Sequence, residues 1–132
     1  MGKTNVMSDL ADRYAQVRQQ ISKSSVTLIA VSKLQPLEKI IELYELGHRD
    51  FGENHVQELV RKARALEDKG LRGIEWHMIG HLQTNKIKKL VPFVSAVHTI
   101  DSERVASELC SAWTQAKRHG KLKVFIEVNI DG

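Results

Sequence analysis

The stretch LIAVSKLQP, residues 28–36, runs apolar through Val31 and then presents a lysine, Lys33, three residues before Pro36. A lysine at such a place is either the hydrated end of a strand or an amine put there for use. If it is desolvated enough to lose its proton near neutral pH, a lysine amine attacks an aldehyde and forms a Schiff base. Pyridoxal phosphate is the aldehyde cofactor to which that chemistry points. Spacing alone leaves the hydrated and the reactive readings both open.

Further polar residues follow other apolar runs: Asn54 in FGEN, His81 and Gln83 in IGHLQ, Asp101 in HTID and Asn129 in EVNI. Each also has a structural reading. Asn54 opens a helical pattern with Gln57 three residues on, as in a capping box, and Asp101 or Ser102 suits the same task for a later helix. His77 and His81 in HMIGH lie on a strand and its exit, without the glutamate of the helical zinc pattern, so no metal is expected. His77 reads as structural, whereas for His81, at the exit, a structural role and contact with a ligand are both open. Cys110, the single cysteine, excludes an internal disulfide, fits a reducing compartment and reads as a small buried residue of a helix.

Elements must hold these residues in place. Leu10, Tyr14, Val17 and Ile21 share one helical face over residues 8–22, with Ser8 as N-cap. VTLIAVS then reads as a strand covered on both faces. Pro36 opens a helix carrying Leu37, Ile40, Ile41 and Tyr44, which Gly47 stops. HRDFGEN is a second strand, followed by a helix with Val56, Leu59, Val60, Ala63 and Leu66. GIEWHMIG precedes a helix around Ile87, Leu90 and Val91. SAVHTI precedes one with Val105, Leu109, Ala112, Trp113 and Ala116, and KVFIEVNI is a fifth strand. Strands recur roughly every 20 to 29 residues with helices between them, the pattern of a parallel sheet with right-handed crossovers.

Two architectures share that pattern. A dinucleotide-binding doubly wound sheet favours a glycine-rich turn after its first strand, and SKLQP contains no glycine. The reading adopted is α/β, a parallel (β/α) barrel of the TIM type: the first five β/α units of an eight-fold barrel, preceded by an N-terminal helix, in one domain over residues 1–132. Barrel chemistry sits at the carboxyl ends of the strands, where Lys33, Asn54, His81, Asp101 and Asn129 all fall.

With 42% hydrophobic and 27% charged residues among 132, the composition is that of an ordinary globular chain. No apolar run approaches the roughly 20 residues of a membrane-spanning helix, and MGKTNVMSDL has no signal-peptide core. No membrane partner is expected, and the chain reads as cytoplasmic. A net charge of +4 permits attraction to phosphates but is too modest to indicate nucleic acid. Lys86, Lys88 and Lys89 lack interleaved aromatics and read as a hydrated helix face, so nucleic-acid binding is not expected.

IAVSKLQP, ELGHRDFGENHVQEL, IEWHMIGHLQTNKIK, HTIDS and VNIDG, in this order from about residue 27 onward, resemble the pyridoxal-phosphate homeostasis proteins, also called the YggS or PROSC family. The resemblance implies a barrel similar to the N-terminal domain of alanine racemase. It implies that Lys33 carries pyridoxal 5′-phosphate as a Schiff base, and that Asn54, His81 and Asn129 contribute to the cofactor site. It further implies a role in intracellular cofactor supply and vitamin B6 balance, without catalytic turnover. His55 stands where the family's FGENYVQE pattern has tyrosine.

A complete barrel takes about 250 residues and commonly builds its phosphate site after strands seven and eight. The chain is therefore expected to be the N-terminal part of a longer protein. The family's phosphate loop and the arginine facing the pyridine nitrogen would then lie beyond residue 132. Strands one and five would be open edges, from which self-association is predicted. Two other functions fit these residues. A racemase-like pyridoxal enzyme would need acid and base groups on both cofactor faces. A basic interaction module without the cofactor would instead bind nucleic acid in a salt-sensitive way.

Overall fold

The computed structural model describes residues 8–128 and 130. Five strands form one all-parallel sheet in the order β1-β2-β3-β4-β5: Ala30–Val31, Asp50–Glu53, Glu75–Met78, Val94–Ile100 and Lys123–Ile126. Each strand pairs with its sequence neighbour. The order never reverses, so the winding is that of a barrel; a doubly wound sheet would turn back at a switch point.

The helices begin and end where the local chemistry directs. The Ser8 hydroxyl accepts the Ala11 amide at 3.0 Å and caps α1, Asp9–Ile21. It also donates to the Glu42 carboxylate of α2, Leu37–Glu45. Pro36 stands as N-cap of α2, one residue ahead of its first turn. At the other end Gly47 adopts φ +101°, which lets its amide bond to Tyr44 and the His48 amide bond back to Leu43. α3 spans Val56–Asp68 and ends in the same arrangement at Gly70. After β3 comes one 3₁₀ turn, Thr84–Lys86, and a helix of a single turn, α4, Ile87–Leu90. α5, Glu103–Gln115, is capped by the Ser102 hydroxyl, which accepts the Val105 amide at 3.2 Å.

The core lies between the helices and one face of the sheet. Ile40, Phe51, Leu59, Leu66, Trp76, Met78, Leu90, Val94, Val97 and Leu109 are all buried within it. Side chains alternate along a strand. Trp76 and Met78 point into this core, and His77 between them therefore points to the opposite face.

On that opposite face β1, expected to be covered on both sides, is open at Val31, 52% exposed; in β5 the consecutive Phe125 and Ile126, which point to opposite faces, are 52% and 76% exposed. β1 is also shorter than VTLIAVS suggests. As an edge strand it has one neighbour, and only Ala30 and Val31 find register partners, Phe51 and Gly52. Cys110 is exposed, contrary to its reading as a buried residue. The buried face of α5 is set by Val105, Leu109 and Ala112, and Cys110 lies about 100° round the helix from Leu109.

Candidate functional site

In an all-parallel sheet every strand ends at the same rim. Lys33 lies two residues beyond β1, Asn54 directly after β2, His81 three residues beyond β3 and Asp101 directly after β4. The structure thus gathers the sequence-derived candidates along one edge. Asn129 lies outside the described residues.

Asn54 and His81 line one cavity of about 710 Å³, together with His55, Glu58, Gly80, Gln83 and Lys86 among others. Lys33 is exposed on the neighbouring strand end and is not part of that lining. Asn54 does not cap α3. His55, one residue further along, takes the extended N-cap position, with no side-chain hydrogen bond. The Asn54 amide is thereby left unused by the helix. Across the cavity, the Arg61 guanidinium at 2.8 Å holds the Glu58 carboxyl below its usual range by hydrogen bonding.

His81 approaches Asp101, with Nδ1 3.5 Å from Oδ2, linking the ends of β3 and β4. Behind it Gly80 is tightly gripped. A Cβ there would lie 2.1 Å from the Asn54 carbonyl oxygen, and the Gly80 carbonyl accepts the Thr99 hydroxyl at 2.6 Å. The glycine lets the ends of β2 and β3 approach as they do.

Two hydrogen-bonded networks tie the strands together, the first of them buried beneath this rim, and neither was read from the sequence. Glu53 and Lys62 are each 1% exposed. Lys62 Nζ donates to Glu53 Oε2 and to the Ser32 carbonyl, both at 2.7 Å. The Ser32 hydroxyl donates to the same Glu53 oxygen at 2.5 Å. The available signal was a lysine on the apolar stripe of α3, three residues after Leu59.

The second network runs along the open face. His77 Nε2 lies 2.9 Å from Asp50 Oδ1, and His77 Nδ1 lies 3.0 Å from His98 Nε2. With the carboxylate accepting from Nε2, Nδ1 accepts from His98. Phe125 stacks on the His98 ring at 4.5 Å. Burial, aided by the nearby His77, pushes the His98 pKa down. His77 is thus structural, as its place in the strand suggested. Among the described residues no group of three or more His, Cys, Asp or Glu side chains could hold a metal ion. No described helix is long and apolar enough to cross a membrane.

The arrangement offers an accessible primary amine, an uncommitted amide and an imidazole beside a cavity, on a rim tied down by buried hydrogen bonds. That donor set fits capture of an aldehyde and contact with an attached ring.

Known proteins resemble this chain over most of its length. The pyridoxal phosphate homeostasis protein of Escherichia coli strain K12 is 40% identical over 94% of this chain and 56% of its own. The Bos taurus protein of the same name is 43% identical over 80% of this chain and 40% of its own. The structure of PipY from Synechococcus elongatus PCC7942 with PLP bound superposes with a TM-score of 0.77 at 41% identity, covering 83% of this chain and 50% of that one. The chain spans about half the length of these relatives. The pattern of the alanine racemase N-terminal domain matches residues 7–132, and the chain belongs to that family.

Proposed function

We propose that this chain binds pyridoxal 5′-phosphate and serves intracellular cofactor and vitamin B6 homeostasis in the cytoplasm, without turning over a substrate. Lys33 holds the cofactor as a Schiff base, its amine displacing the aldehyde oxygen as water. Asn54 and His81, from the adjoining strand ends, contact the cofactor, and Asn129 completes the set. The observation that carries this reading is the juxtaposition of the exposed Lys33 with the Asn54 and His81 cavity on one rim. The similarity to pyridoxal phosphate homeostasis proteins and to PLP-bound PipY supports it.

The test is to add pyridoxal 5′-phosphate to the purified chain, record the visible spectrum, reduce with borohydride and map the modified residue. A new band and a reduced adduct on Lys33, both absent from Lys33→Ala, are expected. Identical behaviour of wild type and Lys33→Ala would overturn the assignment. Racemisation of alanine or serine by the wild-type chain would support the enzymatic alternative instead. Self-association belongs to the same proposal. It is supported by β1 and β5 at the sheet edges and by the exposed Phe125, Ile126 and Val128, and a concentration-dependent sedimentation coefficient checks it.

A further inference from the structure

Lys62 is the least expected residue in the interior. Its ammonium is 1% exposed, paired with an equally buried Glu53, and among the described residues no buried side-chain nitrogen or oxygen lacks a partner. Stability does not account for such a pair, because the desolvation of two ions roughly cancels their attraction, and apolar replacements of similar volume are often as stable. What distinguishes this pair is the second acceptor of Lys62, a main-chain carbonyl, that of Ser32.

The Ser32 carbonyl is the first corner of a tight turn. It also accepts the Gln35 amide at 3.1 Å, and Leu34, third in that turn, has φ +61°. A leucine seldom takes that conformation, so the turn needs external support. Lys33 is the second residue of the turn. Its backbone is fixed on one side by the Ser32 amide, bonded to the Gly52 carbonyl at 2.9 Å, and on the other by the Gln35 bond.

We propose that Lys62 is the positioning residue for Lys33: its buried ammonium, neutralised by Glu53, clamps the Ser32 carbonyl and sets the turn from which the Lys33 side chain leaves the sheet. The bearing on the cofactor rests on the reading of Lys33 given above, whereas the clamp itself does not.

Replacing Lys62 alone strands the Glu53 carboxylate, so the decisive variant is the paired Lys62→Met with Glu53→Gln, which removes both charges at nearly constant volume. Hydrogen exchange of the Gln35 amide reports the turn, with the Met78 and Val97 amides as internal references. Loss of a charge-assisted hydrogen bond predicts Gln35 exchange faster by about tenfold or more, with the references unchanged. Uptake of pyridoxal phosphate on Lys33 is expected to weaken in parallel, by about tenfold.

Unchanged Gln35 exchange in a cooperatively melting variant overturns the proposal. A second variant, Lys62→Ala, is measured with and without ethylammonium, which re-enters the vacated space. Restored Gln35 protection supports the clamp, and added amine without effect counts against it. If wild-type Lys33 takes up no cofactor, the functional reading fails while the exchange measurement still decides the clamp.

Discussion

Gly80 is where the rim has least room. A methyl group there would sit 2.1 Å from a backbone oxygen that belongs to Asn54 and has no rotamer by which to move aside. Gly80→Ala is therefore expected to displace the β2 end and destabilise the chain by about 1–3 kcal/mol, the usual range for an overpacked core position. Denaturant titration measures it. Because the displaced group is Asn54, cofactor uptake should weaken more than in a variant of equal stability loss away from the rim. Residues at this scale were legible unevenly. Lys33, Asn54 and His81 stand out because each is polar at the end of an apolar run. Lys62 and Glu53 do not, since their meaning lies in a contact between a helix and two strand ends that no local window contains. Cys110 was misplaced for a related reason: helical periodicity identifies a stripe, but its edges depend on which neighbours pack against it.

Among the elements, the turn after β1 combines a strained residue with a buried support. Leu34 is 94% exposed and at φ +61° makes no packing contribution that its loss would cost. A non-glycine residue in the left-handed region costs roughly 1–2 kcal/mol, while glycine brings up to about 1 kcal/mol of extra unfolded-state entropy. Leu34→Gly is expected to stabilise the chain by about 0.5–1 kcal/mol, visible as a higher urea midpoint at unchanged slope. A fall in the midpoint would mean that the turn is not strained. The alternation of strands and helices was readable from the sequence because each helix carries its apolar stripe at 3.6-residue spacing and glycines end α2 and α3. The length of β1 was not, because VTLIAVS records strand propensity, whereas pairing requires a partner. Residues 26–29 have no register partner in β2. The exposure of β5 agrees with its reading as an open edge strand.

At the scale of the whole molecule, two histidines tie stability to pH. His48, 4% exposed, joins α1 to β2: Nδ1 lies 3.1 Å from the Tyr14 hydroxyl and Nε2 2.6 Å from the Asp50 carbonyl. Burial pushes its pKa down. The Asp50 carbonyl and carboxylate pull the other way without overcoming it, and Arg18 and Arg49 add to the depression. His98 is shifted in the same direction, by burial and then by His77. Both groups are bases whose native pKa lies below the unfolded value of about 6.5. As pH falls through about 6.5 the unfolded chain takes up protons that the native chain refuses, and stability falls with it. The contribution is complete above about 6.5 and is lost progressively below it, toward the depressed native values. Urea midpoints measured between pH 7.5 and 5.5 should therefore decline, in a window above the titration of ordinary carboxylates. His48→Gln, which keeps a polar group without a titrating proton, should flatten part of that decline, and adding His98→Gln should flatten more. A midpoint that rises on acidification, or a slope unchanged in both variants, would show that the native chain accommodates the imidazolium forms and that burial does not govern these two residues.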